Sequence, residues 1–273
     1  MTPAAYADFT ERLRARLAAE PDVLGLVALG SMSGEGAPPD AGSDHDFFVV
    51  VAPGAQERFR TDLGWLPDPG AVVLAFRETA HGLKAIYASG HLAEFAVFDP
   101  GELALARVNR YRVLLDRADV GARMARVREA TAAAPPADDR WELGQLLAAL
   151  LVGAGRWRRG ERLAGDHRIR SDALGHLLRL LAARVPADDP SAPDGLDPFR
   201  RVVRAWPRIA AELRDALAAD APAAAAGLLR VARRELAGRV ELPAAALDAV
   251  ERALAGGRDG AQGTGAAPAG PPG

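Results

Sequence analysis

The chain has 273 residues, 49% apolar and 26% charged, with no cysteine and a net charge of −2 at pH 7. This length and composition allow a sizeable buried core, and the absence of cysteine excludes disulfides, thiolate metal sites and a cysteine nucleophile. The balanced charge gives no general pull toward nucleic acid or an anionic membrane, and no apolar run approaches the ~18 residues of a membrane span. The N-terminus carries no basic segment followed by an apolar core, so a cytoplasmic protein without a membrane partner is expected. Lys84 is the only lysine among 34 basic residues. That excess of Arg, together with abundant Ala, Gly and Pro, matches the codon bias of a GC-rich genome and discounts individual arginines.

Thr2-Pro3 followed by Tyr6, Phe9, Leu13 and Leu17 predicts an amphipathic helix with a side-chain cap and proline in its first turn. Strands are expected at 23–30 and 46–51, and a short helix from Gln56 to Leu63. Further strands follow at 71–77, 83–88 and 92–98, the last two as a hairpin across Ser89-Gly90. A helix near 101–108, a strand at 111–115 and a helix near 119–132 complete a mixed sheet with helices on one side. Ala132 to Asp139, with Pro135-Pro136, reads as a linker, after which the strand pattern vanishes. Helices are expected near 139–159, 171–184, 197–218, 222–238 and 243–255, the third opened by Asp197 as cap and Pro198 in its first turn. The tail 256–273, rich in Gly, Ala and Pro, is expected to be disordered. The expected fold is therefore α+β, a mixed β-sheet domain with helices over 1–132 followed by an all-helical bundle domain over 138–255.

The most informative stretch runs from Val23 to Gly30-Ser31, and on to Ser43-Asp44-His45-Asp46 and a second apolar run ending at Val51. Side chains alternate along a strand, so Asp44 and Asp46 share one face while His45 and Phe47 take the other. Two adjacent carboxylates repel each other unless a cation or a shared proton relieves them, and hard oxygen ligands suit Mg²⁺ placed between carboxylates and phosphates. Gly30 would let a phosphate approach the backbone, and Ser31 adds a hydroxyl and an N–H donor.

Apolar strand, Gly30-Ser31, loop, Asp44-x-Asp46 and apolar strand together resemble the nucleotidyltransferase superfamily of DNA polymerase beta and the antibiotic adenylyltransferases. The likeness covers about the first 130 residues. The family's third carboxylate, on a later strand, is best matched by Glu94 in His91-Leu-Ala-Glu94-Phe-Ala-Val-Phe98, with Glu78 and Asp99 as competitors. The resemblance implies transfer of a nucleoside monophosphate from a nucleoside triphosphate, ATP in the first instance, to a hydroxyl of a small molecule. Asp44, Asp46 and Glu94 would hold Mg²⁺, Gly30 and Ser31 would position phosphates, and Glu94 would complete the metal site or act as base. A helical domain after the sheet domain is the arrangement of antibiotic nucleotidyltransferases. Leu196-Asp197-Pro198-Phe199-Arg200-Arg201 is similar to a segment of the lincosamide type.

Arg158 and Arg162, taken as one helical turn apart, are candidates to hold phosphate oxygens. An aminoglycoside acceptor would want acidic groups such as Glu142, Glu161 and Asp166, whereas a lincosamide would tolerate an apolar pocket. The alternatives are nucleotidylation of a protein or an RNA, as in a toxin–antitoxin pair, and a degenerate nucleotide- or partner-binding fold. The net charge argues against a nucleic-acid partner. The oligomeric state, monomer or homodimer, is left open. His45 is expected to be packed rather than catalytic. The other histidines show no metal-ligand spacing, and Trp141, Trp157 and Trp206 read as core, with a pocket wall as the alternative for Trp141 or Trp157.

Overall fold

The computed structural model describes residues 1–34, 38–133 and 138–255. The expected tail 256–273 and most of the Pro135-Pro136 linker lie outside the described residues. The chain divides into two compact units, Met1–Ala134 and Pro135–Gly273.

The first unit begins with helix α1, Pro3–Ala19, capped by the Thr2 hydroxyl on the Ala5 N–H with Pro3 in its first turn. Such a cap is worth about 1 kcal/mol. Strands β1, Val23–Leu29, and β2, His45–Val51, follow. Helix α2 is Gln56–Thr61, and β3 to β6 are Val72–Arg77, Gly82–Tyr87, Leu92–Phe98 and Tyr111–Asp116. Helix α3, Val120–Ala132, closes the unit. The six strands form one sheet in the order β3-β4-β5-β2-β1-β6. Only β2 and β5 run parallel, with Asp46 opposite Glu94; every other pair is antiparallel.

The expected one-sided arrangement of helices is corrected. Strands β1 and β2 are apolar on both faces, as strands buried on both sides are. One face packs Leu26, Ala28, Phe47, Val49, Phe95 and Val97 against Phe9, Leu13 and Leu17 of α1 and Phe59 of α2. The other packs Val27, Val50, Ala96 and Phe98 against Val120, Met124 and Val127 of α3. Phe47 stacks on Phe95 at 5.1 Å, an aromatic pair worth about 1 kcal/mol beyond its buried area. The expected helix near 101–108 is only a 3-10 turn, Glu102–Leu105. Asp99 caps it, its Oδ1 accepting from the N–H groups of Gly101 and Glu102.

The second unit has helices and no strand among its described residues: α4 Asp139–Arg158, α5 Arg162–His167, α6 Leu174–Arg184, α7 Val202–Ala205, α8 Pro207–Ala218, α9 Ala221–Leu236 and α10 Ala244–Ala255. Leu146, Leu150, Ile169, Leu177, Leu181 and Leu228 lie at the centre of its core. A π-helical turn, Arg168–Ala173, joins α5 to α6. The expected helix over 197–218 does not form as one piece. Asp197 caps a turn by accepting from the Phe199 N–H, Arg201 is left-handed at φ 59°, and Trp206 is forced out of the helical region before Pro207. Trp206 is core, but Trp141 is 54% exposed, which corrects the expectation for that residue.

Candidate functional site

Parallel pairing of β2 with β5 brings two strand beginnings to the same end of the sheet. Paired residues point to the same face, so Asp46 and Glu94 project together on the α3 side, where Phe48 and Val50 also point. Asp44 sits just before β2. Each of Asp44, Asp46 and Glu94 offers a carboxylate oxygen, and the three oxygens lie within 4.8 Å of one another on half-buried side chains. Such a donor set, all hard oxygen, fits Mg²⁺ by charge and by ligand type.

Gly30 lies against this group. Its φ is +48°, and a Cβ there would stand 2.8 Å from Asp46 Oδ2. The left-handed backbone favours glycine at this position, and a Cβ there would require the Asp46 carboxylate to shift. Ser31 follows in the short 3-10 turn Gly30–Ser33.

The loop carrying Asp44 is pinned from α1. The Tyr6 hydroxyl donates to the Asp44 carbonyl at 2.8 Å, and with its one hydrogen so engaged it accepts from Ser31 Oγ at 2.9 Å. Burial pushes the Tyr6 phenol up to about 12; the Ser31 hydrogen bond opposes the rise, and Asp44 and Asp46 add to it. Tyr6 thereby ties the glycine turn to the first carboxylate.

His45 takes the opposite face, as expected. It is fully buried, stacked on Tyr6 at 3.8 Å, with Nδ1 2.9 Å from His91 Nε2 and Nε2 3.0 Å from Thr10 Oγ1. Burial first, and the neighbouring His91 second, push His45 down to about 3, so it is a neutral structural group. Burial also lowers His91. An open hollow of about 380 Å³ lies beside Asp44, with Ser43, Ser89, His91 and Leu92 among its walls.

The two competitors for the third carboxylate are engaged elsewhere, Asp99 in its cap and Glu78 with Lys84 at 3.0 Å. Lys84 also meets Glu94 Oε1 at 2.8 Å. The motif reading missed Lys84 and Tyr6. Their signals were a single lysine in an arginine-rich chain and a tyrosine on the buried face of α1, and neither could be placed without the strand register and the helix docking.

Arg158 and Arg162 are not on one helix. Gly160, at φ +86°, ends α4, and Arg162 opens α5. Arg158 Nη2 donates to the carbonyls of Ala253 and Leu254 at the end of α10, and Arg162 lies over the Trp157 ring at 5.0 Å. The acidic candidates of the second unit are paired within it. Glu142 is buried against His176 at 2.6 Å and Arg179 at 3.0 Å, Asp166 meets Arg170, and Glu161 meets Arg159.

No family model matches the chain. No curated protein matches it. Among solved structures the chain is similar to an aminoglycoside 6-adenyltransferase from Bacillus subtilis, with 12% identity, 91% of this chain and 90% of that chain covered, and a TM-score of 0.28. It is also similar to the CD-NTase CdnG of Bradyrhizobium diazoefficiens in complex with GTP, with 12% identity, 96% of each chain covered and a TM-score of 0.32. Both proteins are of the nucleotidyltransferase superfamily. Among the described residues no helix is long and apolar enough to cross a membrane.

Proposed function

We propose that the chain is a Mg²⁺-dependent nucleotidyltransferase. It would move a nucleoside monophosphate, AMP in the first instance, from a nucleoside triphosphate to a hydroxyl of a small molecule, with an aminoglycoside or a lincosamide as candidate acceptor. The observation that supports this reading is the convergence of Asp44, Asp46 and Glu94 from two parallel strands beside the Gly30-Ser31 turn. Three carboxylates gathered at one strand end repel one another unless a cation or a shared proton relieves them.

In this reading Asp44 and Asp46 hold the metal, and Gly30 and Ser31 receive the β and γ phosphates at the turn. Glu94 either completes the ligand set or accepts the proton of the attacking hydroxyl. The acceptor oxygen forms a bond to the α-phosphorus as the bond to pyrophosphate breaks. Bound Mg²⁺ supplies charge neutralisation on the α-phosphate and the leaving pyrophosphate. Positioning and electrostatics carry most of the acceleration. Phosphate binding by Arg158 or Arg162 is a separable part of the proposal, tested by neutralising each in turn.

Calorimetric titration with ATP, GTP, CTP and UTP, first with Mg²⁺ and then with EDTA, tests the reading. Binding of one nucleotide that EDTA abolishes, and that Asp46→Asn removes, is the expected result. Absence of binding to all four, or binding indifferent to EDTA, would refute it.

A further inference from the structure

The carboxylate row does not end at Glu94. Lys84 on β4 stands opposite Glu94 on β5, and Glu94 stands opposite Asp46 on β2, so ammonium, carboxylate and carboxylate run side by side across three strands on one face. Lys84 Nζ is 2.8 Å from Glu94 Oε1 and 3.0 Å from Glu78 Oε1. Glu78 lies just beyond β3, in the β3–β4 turn, where its N–H donates to the Gly82 carbonyl at 2.9 Å. The lysine thus has one carboxylate that belongs to the metal cluster and one that does not.

We propose that Lys84 is a positioning residue that occupies Glu94 in the metal-free protein and yields it to the incoming cation by falling back on Glu78. This rests on the reading of Asp44, Asp46 and Glu94 as a metal site. A cation beside a divalent ion is repelled by it, so the ammonium weakens binding of the bare metal. Glu78 lets Lys84 keep a paired charge after the hand-over, so Glu94 can turn to the metal without leaving a lone ammonium at the strand. A bare divalent ion then binds weakly, whereas a metal that arrives with a triphosphate brings negative charge that offsets the repulsion. The site would load as a metal–nucleotide complex.

The test is Mn²⁺ binding to the full chain, followed by the electron paramagnetic resonance signal of the free ion, in Lys84→Met, Lys84→Arg, Glu78→Gln and the double variant Lys84→Met/Glu78→Gln. Circular dichroism melts confirm that each is folded. Lys84→Met should bind Mn²⁺ about tenfold more tightly, the scale of one unit charge beside a divalent ion in a solvent-rich site. Lys84→Arg should stay close to the unaltered chain. Glu78→Gln should bind several-fold more weakly, and that penalty should vanish in the double variant, because with Lys84 gone there is no hand-over to support. A purely additive charge effect would carry the Glu78 penalty into the double variant. That result, or unchanged affinity in Lys84→Met or in Glu78→Gln, overturns the role of Lys84 while leaving the metal site standing. No Mn²⁺ binding by either the unaltered chain or Lys84→Met, in which the competing ammonium is gone, overturns both.

Discussion

Gly30→Ala isolates the contact between the turn and the metal cluster. The residue has φ +48°, where an alanine Cβ crowds its own backbone at a cost of about 1–2 kcal/mol. Here the new Cβ would also stand 2.8 Å from Asp46 Oδ2, well inside ordinary van der Waals contact, so the carboxylate must move by about half an ångström. Gly34 provides the control. It too is left-handed, at φ +75°, but among the described residues its Cβ would meet nothing nearer than Arg112 Nη1 at 3.9 Å. Both alanine variants should lose about 1–2 kcal/mol, a fall in melting temperature of a few degrees. Only Gly30→Ala should also lose Mn²⁺ affinity, by about tenfold or more, because only there is a ligand displaced. Urea denaturation gives the first quantity and Mn²⁺ titration the second. Equal metal affinity in the two variants would refute the claim that Gly30 is kept clear for Asp46.

Other perturbations separate chemistry from architecture. Asp46→Ala should abolish nucleotidyl transfer while keeping the unfolding midpoint within about 1 kcal/mol, since it removes a half-buried ligand and no core volume; an unfolded or fully active variant would contradict the assignment. Glu94→Gln should retain nearly native Mg²⁺-nucleotide affinity if Glu94 is only a base, and lose it if Glu94 is a ligand, as calorimetry will read. Tyr6→Phe strips a donor from the Asp44 carbonyl and an acceptor from Ser31, and should cost about 1–2 kcal/mol together with metal affinity; an unchanged Mn²⁺ titration would show that the Asp44 loop holds itself. His45, held down to about 3, is neutral in the folded protein but takes up a proton on unfolding below about 6.5. Its stabilising contribution is therefore present above pH 6.5 and is lost as the pH falls toward 3, by about 1.4 kcal/mol per pH unit at most. Urea midpoints in EDTA between pH 6.5 and 5 should fall accordingly, and a slope unchanged by His45→Gln would rule out this origin.

Local chemistry was enough to read the elements whose signals are short-range. The Thr2-Pro3 start, the alternation around Asp44-His45-Asp46 and the Ser89-Gly90 hairpin each depend on a few neighbouring residues, and each stands in the structure as read. So does the buried place of His45, because a one-residue step along a strand reverses the face. Glu94 could be named as a candidate from its position before an apolar alternation, but its distance to Asp46 could not. That distance depends on β5 lying parallel to β2 rather than beside β1, a pairing fixed by packing on both sheet faces. The same long-range register put Lys84 against Glu94, and the docking of α1 put Tyr6 under Asp44. Where the helical reading failed, a backbone constraint overrode the apolar period: Gly160 separated Arg158 from Arg162, and Trp206 before Pro207 broke the segment from 197 to 218. Periodicity and capping are written in adjacent residues and survive any tertiary arrangement. Which charges meet is a matter of register and docking between distant segments, which only the folded chain decides.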